Sequence, residues 1–196
     1  MRPAGAADTG AMSPAAIVFV AVLALLAFWA VAAYNALVRS RNKVDESWSG
    51  IDVQLKRRHD LVPNLVEAVK GYAAHESETL RAVIDARRRA VDAEGAEESE
   101  RAEGRLTGAL GAVNALAESY PQLRAAENFR RLQAELDEIE DEIQAARRIY
   151  NSNVQAYNSR IQVFPTLLIA GPMSFTARRF FEIEVAAERA VPHVAF

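Results

Sequence analysis

Asp52, Arg58, His59 and Glu76 lie in or beside an apolar helical stripe, where a bland helix bundle would carry Leu or Ala. Their types allow two kinds of chemistry. Imidazole and carboxylate groups sharing a helix face can hold a divalent metal, which singles out His59, His75 and Glu76. Yet His59 and His75 are sixteen residues apart, over about 20 Å along one helix, so only a fold-back at Pro63 would join them. The run His75-Glu76-Ser77-Glu78-Thr79 also lacks the second His of a zinc-protease helix. The other chemistry is structural: a partly buried polar layer of Asp52, Arg58, His59 and Glu76 that fixes bundle register, as single polar core residues do in coiled coils. Asp52 and Lys56 form an i,i+4 pair of the favourable order, worth about 0.2–0.5 kcal/mol. A second set, Tyr150-Asn151 and Tyr157-Asn158, repeats one heptad apart on one face and is a candidate interaction surface. No nucleophile–base pair, phosphate loop or ligand cluster is readable, so no catalytic residue, metal or cofactor is expected.

The elements that must position these side chains are helices. Trp48, Leu55, Val62, Val69, Glu76 and Val83 fill one heptad column, and Asp52, His59, Val66, Ala73 and Leu80 fill another. That spacing argues for long helices packed side by side. The first soluble helix continues from the apolar N-terminal stretch, meets a kink or short break at Pro63, and runs to about Ala90. Residues 92–103 (DAEGAEESERAE) are acidic and without a hydrophobic period, and predict an exposed linker near 92–104. Leu106 to Tyr120 restores helical spacing, and Pro121 biases Tyr120 away from helix. A last helix spans about Ala125 to Val163, with a stutter among Tyr150, Asn151 and Asn153. Phe164-Pro165 ends it. Residues 165–196 read as an irregular strap whose aromatics dock on the bundle, with room for a short helix at Glu182 to Ala190.

Residues 15–33 are apolar throughout, and no charge lies between Gly10 and Val38. Nineteen helical residues span about 28 Å, close to the hydrocarbon core of a bilayer at about 30 Å. We read a transmembrane helix over 15–38 after a short tail at 1–14. Trp29, Tyr34, Arg39, Arg41 and Lys43 are the membrane-interface residues. Ala30-Val31-Ala32 also fits a signal-peptidase site, but the apolar run is long for a signal peptide and only Arg2 precedes it. The charges after the span, against Arg2 before it, place residues 39–164 in the cytoplasm by the positive-inside rule. The net charge of −3 gives no basic patch for nucleic acid. With no cysteine, disulfide scaffolds, thiolate metal sites and Cys nucleophiles are excluded.

The motifs resemble those of the bacterial LemA family. The resemblance rests on Tyr34-Asn35-x-Leu37-Val38 and on the block from Trp48 through Ile51-Asp52-Val53-Gln54-Leu55-Lys56-Arg57-Arg58-His59-Asp60-Leu61-Val62-Pro63-Asn64-Leu65-Val66. Lys70-Gly71-Tyr72-Ala73-x-His75-Glu76, Glu118-x-Tyr120-Pro121-x-Leu123, Asn128-Phe129, Tyr150-Asn151, Tyr157-Asn158, Phe164-Pro165 and Phe181-Glu182 continue it. Leu167-Leu168 departs from the polar residue the family usually has there, and the acidic linker is this chain's own. The resemblance implies a single-pass inner-membrane protein with a cytoplasmic bundle and no established catalytic activity.

The expected fold is therefore all-α: an N-terminal transmembrane helix followed by a long antiparallel four-helix-type bundle. The expected function is a non-enzymatic scaffold or protein-interaction module, with membrane lipid and either itself or another membrane-associated protein as partners. A self-assembling module that senses or remodels the membrane is the alternative. A metal-dependent hydrolase using His59, His75 and Glu76 is a third reading with little in the sequence behind it.

Overall fold

The computed structural model describes residues 13–182. Residues 1–12 of the tail expected at 1–14, and residues 183–190 of the short helix expected at Glu182 to Ala190, lie outside the described residues. Among the described residues every regular element is helical: α1 (Pro14–Lys70), α2 (Ser77–Val91), α3 (Gly95–Ser119), α4 (Pro121–Ala125), α5 (Glu127–Gln162) and α6 (Leu167–Ala170). Ser13 caps α1, accepting from the Ala16 N–H at 3.3 Å, and Pro14 opens it, where a missing N–H costs nothing. At 57 residues, α1 is about 85 Å long and joins the apolar stretch to the bundle without a break.

Pro63 lies inside α1 and neither breaks nor ends it. A proline there leaves the carbonyl four residues back without its helical donor, and that carbonyl belongs to His59. Arg87, on α2, fills the gap: its Nε donates to the His59 carbonyl at 2.6 Å. The proline is tolerated because a neighbouring helix supplies the missing bond.

The chain turns at Gly71–Glu76, so the single helix expected to run to Ala90 is in fact two, α1 and α2. The hydrophobic columns stay in phase across the turn, with Val69, Ala73, Leu80 and Val83 all buried, which is why periodicity alone hides it. The 92–104 linker also needs correction. α3 starts at Gly95, and Ser99, Ala102 and Glu103 are buried in it. Its inward face carries small residues and one carboxylate, so the burial pattern has no hydrophobic signature until Leu106.

The helices run up and down. α2 folds back along α1, α3 returns beside α2, and α5 runs antiparallel to α1 over most of its length. Two hydrophobic clusters result. In the distal one, Val62, Leu65, Val69, Leu80, Val83, Leu106, Val113 and Phe129 join four helices. In the proximal one, Leu37, Val44, Ile51, Ile143, Tyr150, Val154 and Tyr157 join α1 and α5, Ala96 of α3 packs at its edge, and the chain's own tail supplies the third side through Ala170, Phe175 and Phe181. Fully burying an aromatic such as Phe181, at 0% exposure, is worth about 1.5–3 kcal/mol.

Candidate functional site

The polar residues resolve into two constructions. The first lies where the two hydrophobic clusters meet. Glu103, 1% exposed, projects from α3 toward α1. Its Oε2 accepts from Arg58 Nη1 at 3.2 Å, and its Oε1 lies 2.5 Å from His59 Nε2. An ionised carboxylate can only accept, so Nε2 then carries the proton of that bond. Arg58 Nη2 also donates to Thr107 Oγ1 at 2.9 Å and lies 3.5 Å from Glu140 Oε2 on α5. Arg58 is thus held between two carboxylates from different helices. With Arg87 on the His59 carbonyl, the layer ties α1, α2, α3 and α5 together at one level. Buried charges are costly unless paired and hydrogen-bonded, and here Arg58 and Glu103 are both.

Of the four residues expected in this layer, Arg58 and His59 are in it. Asp52 is exposed on α1. Its column is buried only where α2 and α3 cover α1, and Asp52 falls past the end of α2. Glu76 stands at the opposite end of α2, as its N-cap. It accepts from the Tyr120 hydroxyl at 3.0 Å, and this bond raises the Tyr120 phenol above its ordinary value. His75 is exposed in the α1–α2 turn, so the fold-back brings it to neither His59 nor Glu103. Among the described residues no three His, Asp or Glu side chains are grouped to hold a metal. Sequence reasoning missed Glu103, Thr107, Glu140 and Arg87. The trace of Glu103 was its helical spacing to Ser99, Leu106 and Leu110, concealed inside an acidic run.

The second construction is the Tyr/Asn face, and it is filled by the chain's own tail. The Asn158 amide donates to the Arg178 carbonyl and accepts from the Arg178 N–H, both at 2.8 Å. Asn151 does the same with Phe181, at 3.0 and 2.9 Å. The Tyr157 hydroxyl donates to the Thr176 carbonyl and the Tyr150 hydroxyl to that of Arg179, each at 3.0 Å. Each heptad step back along α5 therefore corresponds to three residues forward along the tail. The geometry accounts for this, since seven helical residues rise about 10.5 Å and three extended residues about 10 Å. Two Tyr-Asn pairs thus act as matched teeth on one extended segment.

Aromatic and ionic contacts complete the dock. Phe181 meets the Trp48 ring edge-on at 5.2 Å, and Trp48 meets Tyr150 at 5.5 Å. Such pairs add about 0.5–1.5 kcal/mol each. Arg178 pairs with Asp45 on α1 at 3.0 Å, and Arg179 with Glu97 on α3. Burial pushes the Tyr150 and Tyr157 phenols up. The face named in the sequence as a candidate interaction surface, Tyr150, Asn151, Tyr157 and Asn158, is occupied here by the chain's own tail.

At the membrane-side end, Tyr34 and Arg41 engage Phe175, by an edge contact at 5.7 Å and a cation–π contact at 5.5 Å. Arg39 and Lys43 are exposed, and Trp29 is half-buried. On the far side, α3 and α5 leave an open groove of about 650 Å³ with Leu65, Leu110, Phe129 and Leu136 in its walls. Gln133 Nε2 bridges it to Asn114 Oδ1 at 2.8 Å.

Residues 47–196 match the model of the LemA family. The chain belongs to the LemA family. The matched region contains the Glu103 layer, both Tyr-Asn pairs and the docked tail. Among LemA-family relatives, Protein LemA of Metamycoplasma hominis is 29% identical over 154 residues, covering 78% of this chain and 70% of that protein. Magnetosome protein MamQ of Magnetospirillum gryphiswaldense is 26% identical over 197 residues, covering 86% and 72%. Magnetosome protein MamQ 2 of Paramagnetospirillum magneticum is 25% identical over 201 residues, covering 88% and 74%.

Proposed function

We propose that this LemA-family chain is a non-enzymatic scaffold, tethered by one span to the inner membrane with its bundle in the cytoplasm. The observation that carries the reading is the continuity of α1. One helix holds both the apolar stretch and the longest face of the bundle core, so the bundle stands at a set angle and height on the membrane. From Arg39 to Lys70 it projects about 47 Å. The polar side chains that could have suggested chemistry brace helices and the tail instead. Arg39, Arg41 and Lys43 beyond the span, against Arg2 before it, support the cytoplasmic orientation.

Such a platform works by presenting its outer surface to a second copy or to another membrane-associated protein. Photo-reactive residues at Val53 and Ile149, both exposed apolar positions, test this in native membranes of cells making the full-length chain. The scaffold reading expects discrete protein adducts from at least one position. Adducts to lipid alone, or none, would overturn it. Membrane sensing or remodelling by self-assembly is the second reading. The exposed Arg39 and Lys43 favour it, since a basic residue beside an anionic leaflet contributes about 1 kcal/mol.

A further inference from the structure

We propose that the tip at residues 163–173 is a second membrane-contacting element, seated in the acyl-chain region of the bundle-side leaflet beside α1. The chain then crosses the bilayer once and dips into it again.

No charged residue lies between Arg160 and Arg178. Within this run the chain leaves α5, forms α6 and turns back as the strap. One side of the tip is buried on the bundle through Ile161, Ala170 and Phe175. The other side exposes Val163 (53%), Phe164 (78%), Leu167 (49%), Leu168 (61%) and Met173 (59%). Scattered exposed hydrophobics are ordinary, but a contiguous apolar patch marks an interaction surface.

The position of the tip identifies what covers it. α5 runs toward the membrane, and Arg160 Nη1 donates to the Ala36 carbonyl at 3.3 Å. α5 ends two residues later at Gln162, and Val163 follows about 4.5 Å beyond Arg160, at the level of Ala33, which ends the apolar run of α1. The tip starts at that level. Burial on α1 continues in the same direction, with Ala33 buried and Trp29 and Ala30 half-buried one turn earlier on the same face. One helical turn past Ala33 is about 5 Å, within the depth of about 5–10 Å that interfacial elements reach. The patch is thus continuous with the lipid-facing surface of the span.

Much of the backbone also meets the condition lipid imposes, that its polar groups be satisfied internally. Each N–H from Leu167 to Gly171 and from Met173 to Phe175 donates to a carbonyl within the tip. Pro165 and Pro172 have no N–H to place. The Thr166 hydroxyl, the tip's one polar side chain before Ser174, lies within hydrogen-bond distance of the Arg160 and Val163 carbonyls, at 2.5 and 3.0 Å.

The proposal rests on the reading that α1 spans the membrane, and its test separates the two. The chain has no cysteine, so Phe164→Cys, Leu168→Cys, Leu25→Cys and Arg148→Cys each carry one environment-sensitive fluorophore. The full-length variants are reconstituted in phosphatidylcholine–phosphatidylglycerol vesicles, with nitroxide-labelled phosphatidylcholine as the lipid quencher and iodide as the aqueous one. Labels at 164 and 168 are expected to shift to the blue, to be quenched by the nitroxide lipid as the label at 25 is, and to lose most of the iodide quenching seen at 148. Iodide quenching at 164 and 168 equal to that at 148 would put the tip in water. Shielding from both quenchers would put it against protein. Either result, with the label at 25 still quenched by lipid, overturns the proposal and leaves the span intact. No lipid quenching at 25 removes the span and the tip together.

Discussion

Replacing Glu103 with Ala isolates the layer that joins the four helices. The substitution removes two charge-assisted bonds, from Arg58 at 3.2 Å and His59 at 2.5 Å. It leaves Arg58, whose side chain is 6% exposed, facing only Thr107 at 2.9 Å and Glu140 at 3.5 Å. Removing one partner of a buried ion pair costs about 3–5 kcal/mol, because the other charge stays buried and under-compensated. With a urea slope of about 2 kcal/mol per M, the midpoint falls by about 2 M. The assay is urea unfolding of the full-length chain in mild detergent, followed by helical circular dichroism. Glu67→Ala, at a side chain 78% exposed and 3.4 Å from Lys70, serves as the control and should change stability by less than about 1 kcal/mol. A triple replacement, Arg58→Met with His59→Leu and Glu103→Leu, should lie within about 1 kcal/mol of the native chain or above it, since hydrophobic substitutes for buried ions are often neutral or stabilising. Glu140, at 36% side-chain exposure, can then turn to solvent. If Glu103→Ala matched the Glu67→Ala control, the assignment of a buried, paired layer would be wrong.

Three further outcomes follow from the same contacts. Arg87→Met should destabilise by about 1–3 kcal/mol by stranding the His59 carbonyl, and by clearly less in a Pro63→Ala background, where residue 63 regains the N–H; a double-mutant cycle in urea measures the coupling. Asn151→Ala or Asn158→Ala removes two backbone bonds to the tail, about 2 kcal/mol at about 1 kcal/mol each, and should speed tryptic cleavage after Arg178 and Arg179 roughly thirtyfold, read by mass spectrometry. Tyr150 and Tyr157 have folded-state values raised above the ordinary tyrosine value by burial, so the stability they contribute is complete below about pH 10 and is lost as pH rises through the raised values. The urea midpoint should therefore drop at strongly alkaline pH, and a Tyr150→Phe, Tyr157→Phe double variant should lose that part of the drop.

The helical class, the long α1 and the final helix were legible because their apolar residues repeat at helical spacing over many turns. Periodicity carries no information about where a helix reverses if the stripe stays in phase, and so the turn at Gly71–Glu76 was invisible. The start of α3 was hidden for a different reason: its buried face is made of Ser99, Ala102 and Glu103, which read as linker composition. That same concealment removed the central carboxylate from the expected site. Arg58 and His59 are recognisable as polar residues in a seam, but their partner Glu103 lies about 45 residues away, in the first turns of a helix legible only from Leu106 onward. Column spacing groups Asp52 with them because columns extrapolate along a helix, whereas burial follows the neighbouring helices. The Tyr-Asn repeat is legible as a repeated polar face, and the structure fills that face with the chain's own tail. Its occupant could not be read, because an extended tail has no period to match against a heptad.

The central claim is that this LemA-family chain acts by holding other protein at the membrane surface. Native mass spectrometry of the full-length 21.5 kDa protein, released gently with its surrounding lipid, tests that claim most directly. The account predicts a discrete assembly, either a multiple of the chain mass or the chain with a second protein. A population consisting of the single chain and lipid alone would contradict it.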